Sequence, residues 1–235
     1  MKNIKDENGH NQIFAETNST IVRFERRAKW MINEVDTTKN ADVLEIGCGI
    51  GKLSNYFAQH ISLNVIGTDI SLPFIEQSMA KYQKPNLNYM YLDFNNPEIL
   101  EGKKFDYIIG NGILHHLYYD IDSALVNIRK LLKKDGKMIF MEPNIYNPYC
   151  ALIFKNNYFR KKASLEPDEM AFSDSYIIEK LLNSGYSNVK VEFKDFLLPG
   201  IPDIFITPSI VIGDVLESIP IINKIAQSLF IVGKN

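Results

Sequence analysis

Glu45, Gly47, Gly49 and Gly51 stand at alternate positions in the run Val43-Leu44-Glu45-Ile46-Gly47-Cys48-Gly49-Ile50-Gly51. Glycines so spaced let a chain leave a strand in a tight turn and let its backbone approach a ligand closely. A second apolar run, Val65-Ile66-Gly67-Thr68, ends in Asp69, a carboxylate able to hold the two hydroxyls of a ribose. At the carboxyl ends of two neighbouring parallel strands, these groups describe a nucleotide-type pocket. Two of the chain's four histidines, His115 and His116, fall together in Leu114-His115-His116-Leu117. Imidazoles with an ordinary pKa near neutrality are suited to taking a hydroxyl proton. Glu142, in Met141-Glu142-Pro143-Asn144, is open to two roles: it accepts a proton itself, or it orients a histidine and pins the loop.

The glycine spacing separates two cofactor classes. A dinucleotide site reads G-x-G-x-x-G, whereas here the third glycine falls one position early and Lys52 stands in its place. Glu45 would add negative charge beside a pyrophosphate, but it suits the ammonium end of an amino acid. The pattern therefore fits S-adenosylmethionine. The turn after the fourth strand reads Gly110-Asn111-Gly112-Ile113. It carries no Asn-Pro-Pro-Tyr run for a nucleic-acid or protein amino group, and no carboxylate cluster for a metal-dependent catechol-type reaction. Cys48 and Cys150 give neither a disulfide framework nor metal-ligand spacing. No metal is expected.

These groups must be held by strands and helices in alternation. Ile21, Phe24, Ala28, Met31 and Val35 recur at helical spacing and predict an amphipathic helix over 19–35. Strands are expected at 42–46, 65–68, 88–92, 105–109 and 137–142, with further ones at 189–193 and 229–232. Ser71 and Pro73 open a helix as cap and first-turn residue. Asp120 or Asp122 caps another helix, carrying Ala124, Leu125, Ile128, Leu131 and Leu132 and ending at Lys133-Lys134-Asp135-Gly136. A last helix covers 174–183 and stops at Gly185. Such alternation implies a doubly wound, mostly parallel sheet with helices on both faces.

At 235 residues and a formal net charge of −2, the chain is read as a single domain without the basic field that nucleic acid requires. Residues 1–12 form a polar lead-in with no signal-peptide core, no apolar run reaches membrane-spanning length, and a reducing, cytoplasmic setting is expected.

Taken in order, the motifs resemble those of class I S-adenosylmethionine-dependent methyltransferases, in their small-molecule branch. Val43–Gly51 resembles the first motif, Gly67-Thr68-Asp69-Ile70-Ser71 the second, and Tyr91-Leu92-Asp93-Phe94 the third. Phe105–Gly112 resembles the fourth strand and its loop, and Leu131–Lys137 the turn before the fifth. The resemblance implies a Rossmann-like sheet of seven strands with the last antiparallel. It implies that backbone groups at Gly47, Gly49 and Asn111 contact the methionine moiety, that Glu45 anchors that end directly or through water, and that Cys48 and Gly51 also belong to the cofactor site. It further implies that Asp69 takes the ribose, Ile70 packs on adenine, and Asp93 accepts from the adenine amino group beside Phe94. The alternative reading of Asp93 is a turn residue before Asn95-Asn96-Pro97, and Asp106 is read as structural.

The implied activity is methyl transfer to a small, hydrophobic organic acceptor at oxygen, with S-adenosylhomocysteine as product. A lipid-linked or surface-glycan acceptor, or a partner protein that binds the cofactor without catalysis, stands as the alternative. Residues 1–40 are read as a helical cap, 41–142 as the cofactor-binding core, and 143–172 and 196–222 as substrate-side additions. Phe14, Tyr146, Tyr149, Phe154, Tyr158 and Phe159 are candidates to line the acceptor cavity. The apolar, proline-broken 196–222 segment is read as a lid, a peripheral membrane contact or a homodimer surface.

Overall fold

The computed structural model describes residues 17–94, 100–163 and 165–235. Phe14, the polar lead-in and the Asn95-Asn96-Pro97 turn lie outside the described residues. Seven strands, β1 (Ala41–Ile46), β2 (Leu63–Asp69), β3 (Leu87–Tyr91), β4 (Phe105–Asn111), β5 (Leu132–Pro143), β6 (Ser187–Lys194) and β7 (Ser228–Lys234), form one sheet in the order β3-β2-β1-β4-β5-β7-β6. Pairing is parallel from β3 through β5, and β7 runs antiparallel to both β5 and β6. The order reverses direction at β1, between β2 and β4, the place where open sheets of this kind bind ligands beyond their carboxyl ends.

The central strands are apolar on both sides because each face is covered. In β4 and β5, Ile108, Met138 and Phe140 join one core cluster, while Ile109, Ile139 and Met141 join the other. That split follows the two-residue period of strand side chains. One face is closed by α4 (Ile121–Leu131) through Ala124, Leu125 and Ile128, and by α7 (Asp174–Asn183) through Ile177 and Leu181. The other is closed by α1 (Asn18–Ile32) through Ala28 and Met31, and by α2 (Lys52–Phe57) through Leu53 and Phe57.

Local signals explain most element ends. Ser71 caps α3 (Leu72–Lys81), its hydroxyl accepting from the Phe74 N–H, with Pro73 in the first turn. One boundary differs from expectation. α4 ends at Leu131, its last-turn cations are Arg129 and Lys130, and Asp120 precedes it without a side-chain capping bond. Lys133 lies instead on β5, where its ammonium bonds Asp42 at 2.8 Å and Asp106 at 2.7 Å. Asp106 also accepts from the Asp42 N–H, the structural role expected of it.

Both additions contain helices. After β5 come α5 (Pro148–Lys155), capped by Asn147, and α6 (Asn157–Lys162), capped by Asn156. The later segment holds α8 (Ile206–Ser218). Its prolines bound the helix rather than break it: Pro199 and Pro202 precede it, Pro208 sits in its first turn, and Pro220 follows it.

Candidate functional site

The turn between β1 and α2 is a cradle made by missing side chains. Gly47, Gly49 and Gly51 all take positive φ, at 68°, 51° and 75°. A Cβ on Gly47 would stand 2.6 Å from the Ile113 side chain. Any side chain there would thus push the glycine loop away from the loop after β4. The Cys48 N–H donates to the Thr68 carbonyl at 2.8 Å, tying the turn to β2. The Cys48 thiol is buried, and burial drives its pKa up.

Two carboxylates flank this turn. Glu45 is 2% exposed and accepts a hydrogen bond from the Ser54 hydroxyl, while its own carbonyl accepts from Thr68. Burial pushes the Glu45 carboxyl up to about 7 against the pull of the Ser54 bond. Asp69 closes β2 and accepts from the Gly49 N–H and the Ser71 N–H, both at 2.8 Å. Its carboxylate is thereby aimed along the mouth of the glycine turn. Ile70 beside it is exposed, and Phe94, next to Asp93, is buried.

The loop after β4 continues into a 3₁₀ turn over Leu114–Asp120. Glu142, at the end of β5, fixes its start. The carboxylate accepts from the backbone N–H groups of Ile113, Leu114 and His115, at 3.0, 2.8 and 3.2 Å. It also meets His115 Nδ1 at 2.9 Å. These are the contacts of the second role open to Glu142: it orients a histidine and pins the loop. The two imidazoles lie side by side, with ring centroids 4.2 Å apart.

A residue the sequence left unmarked completes this cluster. Glu169 is 1% exposed, and its carboxylate lies 2.9 Å from His116 Nδ1 and 4.0 Å from His115 Nε2. It reaches this place because the 143–172 addition folds back over the sheet edge. Phe172 N–H donates to the Pro143 carbonyl, and Met170 N–H to the His115 carbonyl. Arg160 clamps the returning loop by donating to the carbonyls of Phe154, Glu166 and Glu169. Neither Arg160 nor Glu169 stands in a sequence motif that points to this place.

A second unpredicted group holds α1 across the carboxyl edge. Asp195, buried after β6, bonds Arg23 at 2.5 Å and Arg27 at 2.8 Å. Arg27 also donates to the side chains of Asn111 and Ser228. Asn111 is thus tied to the N-terminal helix as well as to β4.

The aromatic wall is only partly assembled. Phe154 is buried with Cys150 and Ala171, and its ring meets His115 edge-on at 6.0 Å. Tyr146, Tyr149 and Tyr158 are exposed.

The donor set fits S-adenosylmethionine. Positive-φ glycines that pack directly on Ile113 and Tyr89 hold a tight turn with bare backbone at the end of β1, a buried acid precedes it, and a second acid stands at the neighbouring strand end. A methyltransferase domain model matches residues 44–138, the stretch holding all of these groups. Over those residues the chain carries a methyltransferase domain, similar to those of the class I S-adenosylmethionine-dependent methyltransferases. It is similar to "Probable polyketide synthase 42" of Dictyostelium discoideum, 31% identical over an alignment of 148 residues that covers 54% of this chain and 5% of that protein. It is also similar to a ubiquinone biosynthesis O-methyltransferase of Pelagibacter ubique, 38% identical over 109 residues, covering 45% of this chain and 43% of that one. The chain therefore spans less than half the length of either relative. A crystal structure of a SAM-dependent methyltransferase from Archaeoglobus fulgidus superposes with a TM-score of 0.63 at 19% identity, over 96% of this chain and 97% of that one. That likeness speaks to the fold. Among the described residues, no helix is long and apolar enough to cross a membrane.

Proposed function

We propose that this chain transfers the methyl group of S-adenosylmethionine to a hydroxyl of a small, mainly apolar organic acceptor, releasing S-adenosylhomocysteine. One observation carries the reading. The carboxylate-supported histidine pair stands at the carboxyl edge of β4 and β5, and its loop abuts the glycine cradle through Ile113 and Gly47. When bound, the cofactor supplies a methyl group already activated by its sulfonium. What remains for the chain is alignment of the acceptor and removal of its proton. His115 is held in place by Glu142, and His116, partly open to solvent and paired with Glu169, is the base of this reading. Transfer to oxygen is further supported by the match to a ubiquinone biosynthesis O-methyltransferase. A cytoplasmic setting draws support from two buried, free thiols, Cys48 and Cys150.

The test is a radiolabelled methyl-transfer assay on small-molecule extract, with mass identification of the product. His116→Ala is expected to keep its affinity for S-adenosylhomocysteine and to lose transfer by about 10²–10⁴-fold. Loss of cofactor binding in that variant would remove His116 from the chemistry. Label recovered only in a detergent-extracted product would identify a lipid-linked acceptor instead. Tight cofactor binding without transfer to any fraction would indicate a non-catalytic partner protein.

A further inference from the structure

The side chains of His115, His116 and Glu169 converge so that one ligand atom from each lies within 4.8 Å of the others. We propose that these three residues form a binding site for a divalent transition-metal cation of the zinc class, with Glu142 as its outer support. This rests on the methyl-transfer reading above and, with a cation bound, changes one part of it: a ligated His116 no longer takes the acceptor's proton, which leaves for solvent.

Four features favour a cation. The donor set is two imidazoles and one carboxylate, which suits zinc and its neighbours rather than magnesium or calcium. The spacing is close to what is needed. A tetrahedral site with bonds of about 2.0–2.1 Å places its ligand atoms about 3.3 Å apart. Here Glu169 lies 2.9 Å from His116 Nδ1 and 4.0 Å from His115 Nε2, and all three ligand atoms lie within 4.8 Å of one another, so small shifts of His116 and Glu169 close the set about His115. His115 is prepared for the task, because Glu142 accepts at Nδ1 and leaves Nε2, the atom facing Glu169, as the ligand nitrogen. A carboxylate behind a ligating histidine is the usual outer support of such sites, fixing both tautomer and ring orientation. Finally, Glu169 is held from behind, its own carbonyl and that of Glu166 accepting from Arg160 while Met170 N–H donates to the His115 carbonyl.

Three protein ligands leave a position for an exogenous oxygen. An acceptor hydroxyl bound there loses its proton to solvent more readily, because the cation stabilises the alkoxide or phenolate. The oxygen then forms its bond to the methyl carbon as the carbon–sulfur bond breaks, and the sulfur leaves with the bonding pair. The sequence conceals such a site because its carboxylate does not follow the fourth strand but arrives from the 143–172 addition, far along the chain.

Cobalt(II) is the probe. Titrated into the tag-free full chain, it is expected to bind one equivalent, with the intense visible absorption of a low-coordinate site, and to be displaced by zinc. Glu169→Gln and His116→Ala are each expected to abolish that absorption. Glu142→Gln is expected to keep the spectrum while weakening affinity 10–100-fold. Retained S-adenosylhomocysteine binding shows that each variant is folded. Since His116 is partly exposed, its variant decides the matter if Glu169→Gln fails to fold. A wild-type chain that binds S-adenosylhomocysteine but shows no cobalt spectrum, or an unchanged spectrum in His116→Ala, overturns the site. The readout needs no acceptor, so cobalt binding without methyl transfer would retire the proposed activity and leave the metal site standing.

Discussion

At the scale of single residues, Glu45 has the most consequential environment. A carboxylic acid whose folded pKa is about 7, against an ordinary value of 4.5, binds more protons folded than unfolded across that interval. Its contribution to stability therefore declines as pH rises from 4.5 through 7 and levels off above, by a total on the order of 3 kcal/mol. Glu45→Gln, which keeps a partner for Ser54, is expected to raise the midpoint of thermal unfolding at pH 8 and leave it nearly unchanged at pH 4.5. Equal shifts at both pH values would mean that Glu45 is not held neutral by burial. If the same carboxylate anchors the cofactor ammonium, wild-type affinity for S-adenosylhomocysteine falls as pH drops from 7 to 5, and that slope flattens in Glu45→Gln. Glu45, Asp69 and the three glycines were legible from sequence because their chemistry is local: each follows its own strand at a set offset. Glu169 and Asp195 were not, because each acts on residues that are distant in the chain and close only once the sheet has formed.

Between elements, the connection from β6 to α8 is fastened to α1 through one buried carboxylate. Burial alone would raise the Asp195 carboxyl, but the Arg27 and Arg23 charges outweigh it and hold it below its ordinary value. Arg27 itself is lowered to about 10, by burial first and by Arg23 second. Asp195→Asn tests the fastening, since asparagine tolerates the positive φ of 77° found there. It leaves two guanidinium groups without their counter-charge and is expected to cost about 3–5 kcal/mol in urea denaturation at pH 7. A depressed carboxyl stabilises the fold above its unfolded pKa, near 4, and that stabilisation is lost as pH falls below it. The variant's deficit is therefore expected to shrink on acidification below pH 4, and a deficit constant with pH would rule the ion pairs out as its source. Sequence periodicity placed α1, α7 and the strands well, because each buries a regular stripe or alternation. It misplaced the end of α4, where Lys133, a residue that suits a helix terminus, serves instead to pair Asp42 and Asp106 across the sheet.

For the molecule as a whole, the unresolved demand is the apolar face around α8. Ile204 and Ile221 are 78% and 80% exposed, and Phe205, Val211, Ile212 and Val215 are more than half exposed between them. Apolar side chains this exposed along one helix and its flanks are what an interaction surface presents. The helix does not hang free, because Asp214 bonds Arg26 and Asp203 bonds Asn18, fixing it to α1. Its own charged side chains are Asp214 and Glu217, and Glu217 is paired with Lys194, so α8 presents no cation to an anionic lipid surface. A second copy of the chain, meeting the same patch about a two-fold axis, is the occupant these features favour. Sedimentation equilibrium is expected to show a dimer at micromolar concentration, with no pelleting on vesicles containing anionic lipid. The double change Val211→Asp and Val215→Asp is expected to yield a monomer with unaltered affinity for S-adenosylhomocysteine, because both side chains are exposed on α8. A wild-type monomer that pellets with vesicles would instead turn this face toward a membrane, and would place the acceptor there with it.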